Sequence, residues 1–438
     1  MFLQRPNIVL IATDGLDAER MSVYGCKRDT TPFIREFTER KSLFCENAFS
    51  NATISASSIA SMLTGKLSTR TRLYYPPDIL KGQDAYQHLP GILRGYGYRN
   101  IEFGLRYYAD SHDMNMINSF DEANFRKINK NRWAKSSNSD VNNAVYFLNQ
   151  LQERLQTRFN RMNCKEGIKN PFNIVTGEEV IPYSNNQILN QFMRFIDGSP
   201  SPFFAHIHLM GTHGPKFFIE NPVFSYGQEQ NGFMMNDFFD DAILEFDLFF
   251  KKMINSLESR GKIENTVFVI HTDHAMEFEK ISRLPLIFIF PDQAYSGKIS
   301  SNVQNIDIPV TLLDYIGIPT PFWMKGQSLI SRKIDRMRPV FITSHMDPKF
   351  NERGLLSANK KFYNPPYYNL GKIFMIICNN YYELDLNSMR LKVDKVKGHT
   401  DPCGNNAVLG KEEIIRRINE LLRKSGYDTL ESPNVFLR

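Results

Sequence analysis

Short, nearly all-apolar runs that end in polar or glycine-bearing turns dominate the first two thirds of the chain. Asn7–Thr13, Tyr98–Phe103, Pro202–Met210, Thr266–Ile270 and Pro285–Pro291 are such runs. They are too short for buried helices and rich in β-branched or aromatic residues. That pattern predicts strands buried on both faces, as in a parallel sheet. Between them, apolar residues at helical spacing predict helices over Phe33–Lys41, His88–Gly95, Asn186–Ile196, Phe238–Ser259 and Asp307–Tyr315. Pro32 opens the first and Gly261 follows the fourth, as helix termini prefer. Alternating strands and helices imply an α/β unit with helices on both sides of a mixed, mostly parallel sheet.

The pattern changes near residue 336. Pro339–Ser344, Lys372–Asn379 and Tyr381–Leu386 read as strands, with Asn379-Asn380 as a hairpin turn, and Lys411–Lys424 as a closing amphipathic helix. The division expected is therefore 1–335 and a C-terminal α+β subdomain, 336–438, with a short antiparallel sheet. Residues 107–185 are rich in Asn, Arg and Lys with weak periodicity. They read as an insertion or lid with one helix, Asn142–Phe159.

Candidate chemistry sits where the apolar runs stop. The segment from Ser50 to Lys66 is crowded with hydroxyls and uncharged until its last residue. From Ser58 onward it fits a short buried helix, which puts Ser55 at the N-terminus, where free backbone N–H groups favour negative charge. A hydroxyl held there can act as an activated nucleophile or as an ordinary cap. Asp14 lies at the tip of the first strand, where open α/β sheets place ligand groups, and before Gly15 it equally fits an ordinary turn residue. His213 stands in the Gly/Pro-rich loop after Pro202–Met210, whereas His206 and His208 share one face of that strand and read as packed residues. Asp273-His274 follows a further strand and supplies an oxygen and an imidazole together, which suits Zn or Mn. His345 and Lys372, in the C-terminal unit, read first as surface or structural groups, with contact to the cleft as the alternative.

Composition narrows the function classes. The hydrophobic share, 42%, is that of a globular protein, and a net charge of +6 weakly favours anionic partners without marking a nucleic-acid binder. The five cysteines (Cys26, Cys45, Cys164, Cys378, Cys403) have no metal-binding spacing, and free thiols in a reducing compartment are expected. No signal peptide precedes the first strand and no apolar run is long enough to span a membrane, so a cytoplasmic location is expected.

Taken together, separated blocks resemble the sulfatase branch of the alkaline phosphatase superfamily. They are Pro6–Ile11 through Asp14-Gly15-Leu16, with Tyr24-Gly25 and Thr30-Thr31-Pro32; Ser50 to Gly65, ending Ser61-Met62-Leu63-Thr64-Gly65; Pro202-Phe203-Phe204 through His213-Gly214-Pro215; Asn265 through Asp273-His274; and Asp307-Ile308-Pro309 to Ser328-Leu329. The resemblance covers roughly 6–104 and 186–330 in the correct order. It implies an alkaline-phosphatase-like fold and a single divalent metal, with Zn or Mn favoured over Mg or Ca. It implies that Asp14, Ser55, Asp273 and His274 bind the metal, that Ser55 is the nucleophile, and that His213 contacts substrate or leaving group.

Departures from the pattern direct the reaction. Sulfatases convert a Cys or Ser in C/S-x-P-x-R to formylglycine, but Ser57 and Ile59 occupy the Pro and Arg positions here. The sulfate-binding Lys and His are missing from Gly104-Leu105-Arg106-Tyr107, and the paired aspartates reduce to Asp14-Gly15. The remaining set is closer to the superfamily's phosphoglycerol and phosphoethanolamine transferases and phosphodiesterases, with Thr53 as a second nucleophile candidate. The expectation is a phosphoester hydrolase or phosphotransferase acting on a phosphorylated glycan, lipid or small phosphodiester. The alternatives are a sulfatase with modified Ser55 acting on sulfate esters, or an inactive binding protein.

Overall fold

The structure is a computed structural model. It describes residues 5–128 and 183–437 except 76–77, 107, 199–201, 278–280, 332–333, 336, 346–365, 401–402, 404–407 and 432–434, with single positions between 129 and 182. The helix expected over 142–159 falls almost entirely outside the described residues.

Strands β1 (Asn7–Thr13), β2 (Ser42–Phe49), β3 (Arg99–Phe103), β4 (Glu122–Ala123), β5 (Arg126–Lys127), β6 (Phe203–Leu209), β7 (Thr266–His271), β8 (Leu286–Ile289) and β9 (Gly297–Gln304) form one sheet. Their order is β5-β4-β3-β6-β1-β7-β8-β2-β9. Neighbours are parallel except where β8 runs against β7 and β2, and β5 against β4. Among the described residues the α-helices are α1 (Pro32–Thr38), α2 (Ser55–Thr64), α3 (Ser68–Thr71), α4 (Leu89–Gly95), α5 (Asn185–Asp197), α6 (Asn236–Glu258), α7 (Asp307–Tyr315) and α8 (Lys411–Lys424).

Strand alternation explains the layering. Ile8 and Leu10 of β1 join a core with Ile59 and Leu63 of α2, Leu89 and Leu93 of α4, and Leu312 and Leu313 of α7. Val9 and Ile11 face the other way, onto Phe192 and Ile196 of α5 and Phe246 and Phe250 of α6. Residues 108–128, read from sequence as part of an insertion, contribute Ala109, Met114, Met116 and Phe120 to the first core and the β4–β5 edge to the sheet.

A second sheet holds β10 (Val340–His345), β11 (Leu370–Ile377), β12 (Asn380–Asp385), β13 (Arg390–Lys395) and the short β14 (Phe436–Leu437). β10 to β13 are antiparallel, and β14 pairs parallel to β13. One face packs Ile373, Met375 and Leu384 on Ile414, Ile418 and Leu422 of α8. The other packs Phe374 and Ile376 against Phe49 at the end of β2. β2, β9 and β13 are not announced by the sequence pattern, because their polar or mixed composition (Gly297–Gln304 is GKISSNVQ) hides the strand period.

One cysteine expectation is corrected. Cys378 and Cys403 are joined by a disulfide across 25 residues of sequence. Spacing carried no signal because the sheet creates the proximity: the Val396 N–H donates to the Asn379 carbonyl, closing β12–β13 over the end of β11. Cys26 and Cys45 are free thiols.

Candidate active site

The strands ending on one edge of the large sheet deliver the site. β1 pairs with β6 on one side and β7 on the other, with Ala12 opposite both His208 and His271. Asp14 therefore emerges beside the ends of both neighbours, and Asp273-His274 follow directly on β7. Gly15 adopts φ +56°, which a side chain at that position resists, and its N–H donates to Asp273 Oδ1 at 3.2 Å. A Cβ there would also stand 3.4 Å from the His274 ring. The glycine that replaces a second carboxylate thus lets the β1 turn close onto Asp273.

Ser55 is brought in by a different device. After β2 the chain makes hydrogen bonds with β10: Thr53 N–H to the Thr343 carbonyl at 3.0 Å and Thr343 N–H to the Asn51 carbonyl at 3.2 Å. α2 then starts at Ser55, after Ile54 in extended conformation and with no side-chain cap. Every residue of α2 is buried, and Gly65 closes it in left-handed conformation. The Ser58 hydroxyl pins its first turn by donating to the Asp273 carbonyl at 2.7 Å.

The result is a buried cluster. Ser55 Oγ donates to Asp14 Oδ2 at 2.9 Å and lies 3.3 Å from His274 Nε2. His274 Nε2 is 3.7 Å from Asp14 Oδ1 and 3.4 Å from Asp273 Oδ2. His208 Nε2 is 3.7 Å from Asp14 Oδ2 and 3.5 Å from Asp273 Oδ2. Burial alone would raise the Asp273 carboxyl, but the His274 and His208 imidazoles and the Ser55 hydroxyl outweigh it and hold the group well below the usual carboxylate range. Burial likewise pulls His274 and His208 down, and the facing carboxylates more than offset it, so both rings sit above the ordinary imidazole value.

This donor set fits a divalent cation. Asp14, His208 and Asp273 each offer a ligand atom, all within 4.8 Å of one another. Asp14 Oδ1, Asp273 Oδ2 and both His208 ring nitrogens are buried without a hydrogen-bond partner among the described residues. Buried polar atoms left in that state are costly, and two carboxylates facing imidazoles at these distances would be satisfied by a divalent cation between them.

The four residues Asp14, Ser55, Asp273 and His274 are thus brought together. His208, read as packed, joins them. The signal was present: strand alternation puts it on the His206 face, and a parallel partner to β1 must end beside Asp14. His206 stays structural, its Nδ1 2.9 Å from a Glu102 carboxyl that burial pushes well above its usual range. His213 is half-buried in the loop after β6, its Nδ1 2.6 Å from the Gly214 carbonyl oxygen. That loop is tethered to the site by the Thr212 hydroxyl, which bonds Thr13 Oγ1 at 2.7 Å and the Asp14 carbonyl. Thr53 is buried, and its hydroxyl has no partner among the described residues. Arg106 is ion-paired with Asp113 at 2.7 Å, Lys372 pairs with Glu383 at 3.6 Å, and His345 stacks on Tyr75.

Comparison with known proteins gives the same architecture a family. The chain is 24% identical over 352 residues to N-acetylgalactosamine-6-sulfatase of Rattus norvegicus, covering 73% of this chain and 63% of that protein. It is 22% identical over 363 residues to arylsulfatase K of the same organism, covering 75% and 62%. N-acetylglucosamine-6-O-sulfatase of Bacteroides thetaiotaomicron is 21% identical over 397 residues, covering 74% and 70%. The first two matches thus span less than two thirds of those relatives. Among solved structures, the phosphonate monoester hydrolase of Agrobacterium radiobacter superposes with a TM-score of 0.63 at 14% identity, covering 96% of this chain and 95% of that one. A protein of the alkaline phosphatase superfamily from Vibrio parahaemolyticus gives 0.60 at 15% identity, covering 98% and 90%. These likenesses show the fold. The Sulfatase family profile matches residues 6–318. With most of the large-sheet unit inside that match, the chain belongs to the Sulfatase family.

Proposed function

We propose that the chain is a metal-dependent hydrolase of anionic esters, with carbohydrate sulfate esters as its first substrate class and Ser55 as the attacking position. One observation carries the reading: the Ser55 hydroxyl, at the start of a buried helix, hydrogen-bonds Asp14 at 2.9 Å within a cluster of two carboxylates and two imidazoles. Asp14, Asp273, His208 and His274 would hold the ion. Bound there, a divalent cation supplies Lewis-acid polarisation and lowers the pKa of a neighbouring hydroxyl.

The protein's own groups do the rest. Asp14 orients Ser55 Oγ by accepting its hydrogen. The unbonded N–H groups in the first turn of α2 face the ester's negative oxygens. His213, on the loop tethered by Thr212, protonates the departing alcohol oxygen. The relatives favour sulfate as the transferred group, since the matched curated proteins bear sulfatase names. The phosphoester remains a second reading for one reason: Ser57 and Ile59 stand at the Pro and Arg positions of the formylglycine motif, which favours an unmodified alcohol at Ser55.

Mass spectrometry of the Ser55 peptide, with kcat/KM on an aryl sulfate and an aryl phosphodiester, separates the readings. Metal-dependent release of sulfate from the aryl sulfate is the expected result, and the mass of the Ser55 peptide shows whether the attacking oxygen is the serine hydroxyl or that of a hydrated aldehyde. An intact serine with turnover of the phosphodiester alone selects the second reading. No turnover of either ester by the metal-loaded protein overturns both.

A further inference from the structure

A second cleft, of about 1030 Å³, opens beyond the far end of α2, bordered by α3, the segment after α7, and α8. None of Asp14, Ser55, His208, Asp273 or His274 lines it. Ser55 and Lys66 stand at opposite ends of α2, roughly 15 Å apart at the helical rise. This cleft is therefore separate from the cluster described above.

Its charge is one-sided. Eight lysines and arginines line it against two carboxylates, Asp84 and Glu420. Some of those cations are neutralised: Lys66 by Asp84, Arg338 by Asp307, Arg416 by Glu420 and Arg417 by Glu413. Arg70, Lys81 and Lys424 are exposed and form no ion pair among the described residues. Like charges gathered around a concave surface focus a positive potential and attract anions. An aromatic surface accompanies them. Trp323 lines the cleft with Lys66 Nζ 6.0 Å from its ring, Phe322 beside it is 84% exposed, and the Trp323 indole N–H is buried without an acceptor among the described residues.

We propose that this cleft binds a sulfated oligosaccharide away from the scissile ester, as a second holding site for the substrate chain. The carbohydrate identity rests on the function proposed above; the anionic preference rests on the cleft alone. Arg70, Lys81 and Lys424 take the sulfate groups, and the Trp323 ring takes the apolar face of a sugar. The volume accommodates a few sugar units; single-stranded RNA, which also offers anionic groups and stacking rings, is the competing outcome.

The test uses the full chain carrying Trp133→Phe. Trp323 is then its only indole, since the chain has two tryptophans. A heparin-type octasaccharide, its unsulfated counterpart and a single-stranded RNA oligomer are titrated by fluorescence, with calorimetry on the unaltered chain in parallel. The sulfated octasaccharide should bind and perturb Trp323 in a salt-sensitive way. The combined Arg70→Glu, Lys81→Glu and Lys424→Glu variant should bind it at least about tenfold more weakly, with kcat/KM for a small aryl ester unchanged. Equal binding by the variant, equal binding of the unsulfated sugar, or tighter binding of RNA overturns the proposal. Charge-dependent binding in a chain that hydrolyses no ester would leave the cleft standing and remove the catalytic reading. Turnover without that binding would do the reverse.

Discussion

Replacing Asp273 by Asn tests the metal cluster with little change of shape. Asp273 is 2% exposed; its Oδ1 accepts the Gly15 N–H at 3.2 Å, and its Oδ2 faces His274 at 3.4 Å and His208 at 3.5 Å. The substitution removes one of two carboxylate charges from the donor set. A cation present at about a hundred times its Kd stabilises the folded chain by about 2.7 kcal/mol. For a chain of this size, 1 kcal/mol moves Tm by about 2 °C or less. Adding Zn or Mn to chelator-treated wild type should therefore raise Tm by roughly 4–5 °C. A hundredfold loss of affinity in Asp273→Asn would leave about 0.4 kcal/mol at the same ion concentration, a shift below about 1 °C. The ion-free variant can itself be more stable, because Asp14 and Asp273 no longer repel, so the assay compares the ion-induced shift within each protein. Differential scanning calorimetry with Zn, Mn, Mg and Ca in turn reads the result. An equal shift in both proteins would refute a cation held at Asp273.

Two further predictions concern the scaffold. His88 caps α4 by accepting the Gly91 N–H at Nδ1, and burial pulls its pKa down to about 4. The unfolded chain takes up this proton near the ordinary value of 6.5 and the folded chain does not, so stability is full above 6.5 and falls as pH drops toward 4. The loss is about 3 kcal/mol, and denaturation of His88→Gln against wild type should show that pH dependence flattened. In Gly326→Ala, the new Cβ would stand 2.7 Å from the Ile306 carbonyl carbon, closer still to its oxygen, just ahead of α7. Since backbone must move, destabilisation of at least about 2 kcal/mol is expected by urea titration; less than half of that would show that the turn yields freely.

Much of the fold was legible because burial on both faces writes continuous apolar runs. The apolar runs alone give β1 and α7 their observed bounds, Asn7–Thr13 and Asp307–Tyr315. β9 was not: Asn302 and Gln304 are buried by bonding the Cys378, Ser50 and Phe341 carbonyls, a tertiary arrangement that no local pattern announces. In the site, Asp14, Ser55 and Asp273-His274 were visible as polar residues where apolar runs stop. His208 was masked by lying inside its run, one residue before the end of β6. The preference for phosphoester chemistry came from absent motif residues, whereas the similarity to known proteins favours sulfatases.

Ser55→Ala gives the most direct measurement of the central claim, because it deletes one oxygen and leaves the carboxylates and imidazoles in place. With whichever aryl ester the wild type turns over, the account predicts a fall in kcat of at least about a thousandfold, with the ion-induced rise in Tm retained. Undiminished turnover by Ser55→Ala would contradict the account and take the nucleophile elsewhere.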